Sequence, residues 1–306
     1  MHCLAFKKYG KVKLINNNKK SSLTGLFCGG SAFLIWGFVP LYYKTLSHVP
    51  AHEVIIHRIV WSLLFLMPIV FFQGQWRAFK DVFRSFEQLK WLLCTALLVA
   101  SNWFMFIWAI DHDMVIQASL GYYINPLISV LLGMLFLQER LRKLQAVAVF
   151  IAAAGVFYLT YNYGSFPVIS FLLAITFGLY GLMRKKLAIN SAVGLAVETF
   201  VLMIPGIAYL FYLEKTGAAA FCHVNRGTDL LLIGTALVTA IPLLLFNIGV
   251  GRLKLATIGF LQYLGPSLMF LLAVFVFKEP LSIHQLISFI FIWTALAIYA
   301  LDSIRH

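Results

Sequence analysis

Four ionisable side chains lie inside long apolar runs of this sequence. Glu53, His57 and Arg58 begin the second such run, and Glu198 lies within the seventh. An ionisable group inside an apolar helix is costly to place and by default marks a functional site. Glu53 and His57 are one helical turn apart and share a helix face, and Arg58 lies about 7 Å deeper than Glu53 at the helical rise. The structural alternative for Glu53 and Arg58 is pairing with neighbouring helices to hold the bundle together.

Aromatic and amide side chains form a second group near the middle of the runs. They are Trp36, Trp61, Asn102, Tyr122, Tyr123, Asn125, Gln262 and Tyr263. Pro126 and Pro266 follow two of these clusters, and a proline in mid-helix frees a carbonyl that a neighbour or a cavity must accommodate. As a set at one depth, these residues predict a cavity for a small, partly apolar, hydrogen-bonding solute. For any one of them, helix packing is the alternative.

Several kinds of chemistry are excluded by residue spacing. His52 and His57 flank Glu53 in a near match to H-E-x-x-H, but ligands at i and i+5 do not share a helix face. The four cysteines have no metal-ligand spacing. The sequence contains no P-loop and no G-x-S-x-G elbow. We therefore predict no catalytic residue, no metal and no cofactor.

The composition identifies lipid as the solvent for most of the chain. Of 306 residues, 61% are hydrophobic and 11% are charged, whereas soluble domains are about half apolar and a quarter charged. The formal charge of +13 is divided among segments between apolar runs, so no basic patch for nucleic acid is formed.

Ten apolar segments are long enough to cross a bilayer, which needs about 20 residues. They cover 22–43, 54–72, 91–110, 114–137, 144–162, 166–183, 193–212, 229–250, 255–277 and 283–301. With the N-terminus inside, nineteen Lys and Arg residues fall in inner segments and four in outer ones. The positive-inside rule then places both termini in the cytoplasm.

An internal repeat relates the two halves of the chain at an offset of 140 residues. The matches that carry it are Tyr123 with Tyr263, Pro126 with Pro266, Glu139 with Glu279 and Gln145 with Gln285. Because five spans per repeat is an odd number, the halves must have opposite orientations in the membrane. Inverted repeats of this kind are typical of transporters that work by alternating access around a midplane site.

The predicted organisation is therefore an all-α integral membrane protein with two inverted five-helix repeats (5+5). Residues 1–21 form a basic cytoplasmic tail, 22–162 the first repeat, 163–301 the second repeat and 302–306 a cytoplasmic C-terminal end.

Motifs along most of the chain resemble a known family. They are Trp36-Gly37, Pro40, Tyr43-Lys44, Val49-Pro50, Glu53, His57-Arg58, Trp61-Ser62, Asn102-Trp103, Ala118-Ser119-Leu120-Gly121-Tyr122, Asn125-Pro126-Leu127, Gly259-Phe260, Gln262-Tyr263 and Gly265-Pro266. They are similar to those of RarD-type proteins in the EamA-domain group of the drug/metabolite transporter superfamily. The resemblance implies a multi-pass permease of the bacterial inner membrane, in a wider group whose members export amino acids and other metabolites.

The function predicted from the sequence is a secondary transporter, with export as the expected direction, for a small metabolite or drug-like solute. Its expected partners are the solute and the lipid bilayer, with protons as a candidate coupling ion. The eight aromatic and amide residues are its candidate substrate-binding set, and the four ionisable residues are candidates for gating or coupling. The alternative is a multispan membrane enzyme acting on a lipid or isoprenoid. Such enzymes usually carry clustered acidic residues, and the close pair here, Asp111 and Asp113, fits a solvated turn.

Overall fold

The computed structural model describes residues 19–112, 114–162, 166–187, 189–276, 278 and 283–305. In these residues the chain forms α-helices and connecting turns, with no strand. The helices are α1 (Lys19–Lys44), α2 (Ala51–Phe72), α3 (Trp76–Arg84), α4 (Phe86–Asp111), α5 (Val115–Leu137), α6 (Lys143–Asn162), α7 (Val168–Leu187), α8 (Ser191–Thr216), α9 (Arg226–Arg252), α10 (Leu255–Gln262), α11 (Leu264–Phe275) and α12 (Ile283–Arg305). Residues 1–18, most of the predicted basic tail, lie outside the described range, as do 163–165 and 306.

Ten segments of the described residues are long and apolar enough to cross a membrane, which confirms the predicted number of spans. Helices are the expected solution, because each backbone N–H and C=O must be paired within its own segment in lipid. Many large apolar side chains, such as Phe27, Phe72 and Phe150, are exposed on the bundle surface. That arrangement suits a lipid environment.

Helix α3 lies in the connector between the second and third predicted spans. Its apolar residues Phe79 and Val82 are buried, whereas Arg77 and Lys80 on the opposite side are exposed. Phe79 packs edge-on against Phe200 of α8, with ring centroids 6.4 Å apart. This amphipathic helix, too short to span a bilayer, covers one end of the bundle.

The ninth span is divided into α10 and α11 at Tyr263. At the break the Tyr263 N–H donates to the Phe260 carbonyl at 3.2 Å, which is a tighter turn than the α-helix makes. Pro266 has no N–H to continue the α-helical pattern from Gln262. Pro126 of α5, in contrast, lies inside a continuous helix.

Helices from the two sequence halves alternate in the packing. Helix α1 packs on α9 and α11, α2 on α8 and α9, α5 on α7 and α10, and α6 on α12. One core surrounds Phe33, Tyr180 and Phe246, and a second surrounds Phe260 and Phe289. Each of these cores is therefore built from helices of both halves.

Candidate functional site

Arg58 of α2 is half-buried and is held by neutral groups from three other helices. Its Nε donates to Thr239 Oγ1 of α9 at 3.1 Å. Its guanidinium carbon lies 4.3 Å from the ring centroid of Trp103 in α4 and 6.0 Å from that of Tyr43 in α1. Among the side chains that the structure describes, no carboxylate oxygen lies within 4.0 Å of this guanidinium. Glu53, the candidate partner nearest in sequence, is bound elsewhere.

Tyr122 of α5 completes this group. Its side chain is 41% exposed, although the helix is one of the more buried in the bundle. It lies within electrostatic range of Arg58 and Tyr43, and its ring stands edge-on to Phe106 at 5.9 Å. We call Tyr43, Arg58, Trp103, Tyr122 and Thr239 the Arg58 site.

Trp36 of α1 lies in an aromatic cluster next to the Arg58 site. Its ring centroid is 5.4 Å from that of Phe33, 6.0 Å from Phe177 and 5.9 Å from Phe246. Tyr180 stacks on Phe246 from the other side, at 6.1 Å. The cluster packs against the same core as Trp103, and Trp36 lies about 10 Å along α1 from Tyr43.

The other predicted members of the cavity on α5 and α10 are packed rather than exposed. Tyr123 packs edge-on to Phe289 at 5.3 Å, and Tyr263 Oη donates to the Tyr123 carbonyl at 3.3 Å. Gln262 Oε1 accepts from Ser129 at 3.4 Å. Tyr123, Gln262 and Tyr263 are therefore buried in this structure, whereas Tyr122 is exposed. The close approach of α10 to α5 encloses all of them except Tyr122.

Asn125 lies in the same seam and is buried, and its Oδ1 has no hydrogen-bond partner among the described residues. Asn102 ties α4 to α7, because its Nδ2 donates to the Leu173 carbonyl at 2.9 Å and to Thr176 Oγ1 at 3.0 Å. Trp61 Nε1 donates to His57 Nδ1 one turn back, at 3.1 Å. Asn102 thus holds α4 against α7, and Trp61 orients the His57 imidazole.

Glu53 is fully buried and holds the segment between α8 and α9. Its Oε1 accepts from the backbone N–H groups of Ala220 and Phe221, at 2.8 and 3.2 Å. His57 Nε2 is 3.7 Å from the same oxygen, and the Phe221 ring lies over the imidazole at 4.8 Å. We call residues 217–225 the capping segment, since it covers Glu53 and His57.

Glu198 is the centre of a buried polar network, at the end of the bundle opposite to Glu53. Its Oε1 accepts from Thr95 Oγ1 at 2.6 Å and lies 3.7 Å from Arg184 Nη1. Its Oε2 accepts from Tyr180 Oη at 3.3 Å. Asn247 Oδ1 accepts from Arg184 Nε at 3.2 Å, which joins α4, α7, α8 and α9. This is the inner network.

Arg184 is a candidate functional residue that was not predicted, because in the sequence it stands beside Lys185 and Lys186 in a connector. The structure extends α7 to Leu187 and buries the Arg184 side chain. Arg184 is nearest to Glu198 among the flanking cations, and both lie close to one short turn. An intramembrane carboxylate needs a partner, so this proximity was the available signal.

A second missed residue, Glu139, caps the ninth span. Its carboxylate accepts from the N–H groups of Leu255 and Ala256 at 2.7 and 3.0 Å, at the positive end of α10. Lys185 Nζ lies 3.6 Å from Glu139 and also donates to the Leu253 carbonyl. Glu139 was visible in the sequence only as a repeat match. Across the described residues, no three His, Cys, Asp or Glu side chains are grouped closely enough to hold a metal ion.

Comparisons with known proteins agree with a membrane permease. A model of the EamA-like transporter family matches residues 23–161. An uncharacterized transporter of Vibrio cholerae is 43% identical over 94% of this chain and 95% of its own length. Protein RarD of Escherichia coli is 39% identical over 93% of this chain and 96% of its own. A solved crystal structure shares the fold with a TM-score of 0.70, at 19% identity, over 94% of this chain and 99% of that one.

These similarities and the ten apolar helices define a multi-pass transport protein of the bacterial inner membrane. The chain belongs to the RarD-type permeases of the EamA-like transporter family. Its partners are accordingly a small-molecule substrate and the lipid bilayer.

Proposed function

We propose that the protein is a secondary transporter that exports a small metabolite or drug-like solute by alternating access. In this proposal, two inverted five-helix halves, 22–162 and 163–301, move about a central site, and both termini face the cytoplasm. The observation that carries it is the Arg58 site: a half-buried guanidinium, the Trp103 ring that it contacts and the partly exposed Tyr122 lie inside an apolar bundle that also holds the buried ion pair of Arg184 and Glu198.

The depths of the two groups support this mechanism. Arg58 and Glu198 each lie about 10 Å along their helix from its first residue. In the proposed topology α2 begins outside and α8 begins inside, so these residues lie near opposite membrane faces. In the Arg58 site the Tyr122 side chain is exposed, whereas Arg184 and Glu198 of the inner network are buried. Such an asymmetry is what an outward-facing state requires.

The sequence-derived residues take distinct roles in this proposal. Tyr122, with Trp103 and Arg58, contacts the solute, and Trp36 forms the floor beneath it. Glu198 with Arg184 closes the inner path in this state, and Glu53 with His57 holds the capping segment, which gates the outer path. Tyr123, Asn125, Gln262 and Tyr263 lie in the α5–α10 seam, which becomes part of the solute path only when α10 moves. Asn102 and Trp61 position the surrounding helices.

The proposal includes no enzymatic activity. A lipid-modifying enzyme would need acidic or His/Asp groups gathered at one membrane face. The acidic side chains Glu53, Glu139 and Glu198 are instead separated, and each binds backbone amides or a cation of another helix. Because they are separated and bound in this way, no two of them form an acid–base pair.

The test is solute flux in proteoliposomes. Candidates come from metabolites whose release differs between cells with and without the protein. Chloramphenicol is added because one relative, 30% identical over 92% of this chain, is named chloramphenicol-sensitive protein RarD. We expect saturable flux of at least one solute. Tyr122→Ala should reduce that flux more than tenfold, because the lost ring contributes about 1.5 kcal/mol or more to solute binding.

Two results would contradict the proposal. The first is the absence of protein-dependent flux for every solute whose cellular release depends on the protein. The second is wild-type flux, with unchanged pH dependence, in stably folded Arg58→Ala and Glu198→Gln variants, which would remove the Arg58 site and the inner network from the solute path. Arg77→Gln, on the exposed side of α3, is the control that removes an arginine elsewhere.

A further inference from the structure

The Arg58 guanidinium has an uncompensated positive charge in the described structure. Its partners are a hydroxyl, Thr239 Oγ1, and the faces of Trp103 and Tyr43. A cation over an aromatic ring is attracted, but the ring does not cancel its charge. Arginine remains protonated in proteins, and a lone cation in a span is costly. An anion is therefore needed to complete the site.

The protein's own carboxylates in the described spans are engaged elsewhere. Glu53 binds two N–H groups of the capping segment. Glu198 is held by Thr95 and Arg184 in the inner network, with Tyr180 also bonded to it. Although Glu53 Oε2 has no hydrogen-bond partner among the described residues, neither this carboxylate nor that of Glu198 lies within 4.0 Å of the Arg58 guanidinium.

The surroundings of Arg58 provide further donors and an apolar wall. Tyr43 Oη is buried and has no hydrogen-bond partner among the described residues. The guanidinium uses its Nε for Thr239, and no described acceptor is bonded to its two terminal nitrogens. Tyr122, which interacts electrostatically with Arg58, forms an aromatic surface with Phe106, and its side chain is 41% exposed. A planar guanidinium with free terminal nitrogens matches the two oxygens of a carboxylate or phosphate.

We infer that the Arg58 site binds the anionic group of the transported solute, a carboxylate or a phosphate monoester, through Arg58 and Tyr43 Oη. The apolar part of the solute lies on Tyr122. This inference rests on the proposed function, since it names the substrate class of that same site: small organic anions rather than neutral or cationic solutes.

The first experiment measures binding without a gradient, so that it does not depend on transport. Full-length protein in phosphatidylcholine nanodiscs is titrated with radiolabelled benzoate, and phenyl phosphate, benzamide and benzylammonium are used as competitors. We expect at least one anion to bind tenfold or more tightly than benzamide, as a charge-assisted hydrogen bond predicts. Arg58→Gln should abolish this preference, and the control Arg77→Gln should keep it.

Because Arg58→Gln could misfold, a second variant with a smaller structural change tests the same site. Tyr43→Phe should weaken anion binding about two- to tenfold through one lost neutral hydrogen bond, with benzamide binding unchanged. Equal binding of anions and benzamide, or no binding of either anion, would overturn the inference. If benzoate binds in phosphatidylcholine nanodiscs but not in phosphatidylglycerol nanodiscs, a lipid phosphate occupies the site. That result overturns the assignment of the site to a soluble substrate.

The second experiment separates this inference from the proposed function. Flux of the identified solute is measured for wild type, Arg58→Gln and Arg58→Lys. If the solute is neutral or cationic and Arg58→Gln transports it at the wild-type rate, the protein remains a transporter and the anion inference fails. If anions bind through Arg58 but no solute crosses the membrane, the binding chemistry stands and the transport proposal fails.

Discussion

At Glu198 a buried carboxylate faces a buried guanidinium in a network that spans four helices. Arg184 Nη1 lies 3.7 Å from Glu198 Oε1 and has no hydrogen-bond partner among the described residues. The two charges are therefore matched mainly by each other. Removal of one leaves the other desolvated, which costs more than removal of both.

We accordingly expect Glu198→Gln to destabilise the folded protein by about 3–5 kcal/mol, since it leaves Arg184 as an unpaired buried cation. The double variant with Arg184→Gln should recover part of that loss. The measurement is thermal unfolding of purified protein in detergent. Glu214→Gln is the control, because its ion pair with His223 is exposed and such pairs contribute little. An unchanged melting temperature for Glu198→Gln would show that the pair is not a stabilising element.

Gly259 allows α10 to approach α5 at the carbonyl of Pro126. A Cβ at this position would lie 2.7 Å from that oxygen and 3.2 Å from Ser129 Cβ. Because a backbone atom cannot move cheaply, Gly259→Ala should cost about 1–3 kcal/mol. Gly251→Ala is the matched control, because a Cβ there meets nothing within 4 Å and should be neutral or slightly stabilising. Equal melting temperatures for the two variants would contradict this close packing.

Among the elements, the capping segment depends on Glu53 for two of its backbone hydrogen bonds. Glu53→Ala removes the acceptor of the Ala220 and Phe221 N–H groups. We expect amide hydrogen exchange in residues 218–223 to accelerate about tenfold or more, given the strength of bonds to a charged acceptor. Glu87→Ala, at an exposed position of α4, should leave that exchange unchanged. Slow exchange in Glu53→Ala would mean that Asp229, which accepts from the Cys222 N–H at 2.7 Å, holds the segment without Glu53.

The spans and the family were predictable because they depend on local composition and on motifs. The partners of the polar residues were not, because they lie on helices distant in sequence. Glu53 binds a segment 167 residues away, and Arg58 binds Thr239 from 181 residues away. The break at Tyr263 was also hidden, since Pro126 in the related position leaves α5 continuous. Apolar composition reports only that a segment can be buried in lipid, and not which face meets another helix.

For the whole molecule, the proposed orientation can be tested with the exposed Cys222 of the capping segment. In a Cys3→Ser background, a membrane-impermeant maleimide should label Cys222 from the periplasmic side of intact cells. Lys90→Cys, at an exposed position near the first residue of α4, should be labelled only after permeabilisation when Cys222 is also replaced by Ser. Five proposed spans separate the two positions, so labelling from the same side would contradict the inverted arrangement.

An arginine without a protein counter-ion also has an electrical consequence. A charge that crosses the whole membrane field gains about 2.3 kcal/mol per 100 mV. When a monovalent anion is bound, Arg58 and the solute form a neutral pair, on which the field exerts little net force. The empty site carries a bare cation. If that cation moves through a quarter of the field, voltage contributes about 0.6 kcal/mol at 100 mV, or a roughly threefold change in rate.

Solute exchange, in which both directions of movement occur with the site loaded, should therefore be indifferent to a potassium diffusion potential imposed with valinomycin. Net efflux requires the empty site to return, so its rate should change about threefold per 100 mV. Exchange that follows the voltage as strongly as net efflux would show that Arg58 is not neutralised by its cargo. In the expected case, in which exchange is indifferent to the voltage, the lone guanidinium acts as the voltage sensor of the empty transporter, and the membrane potential sets how fast that site returns for its next solute.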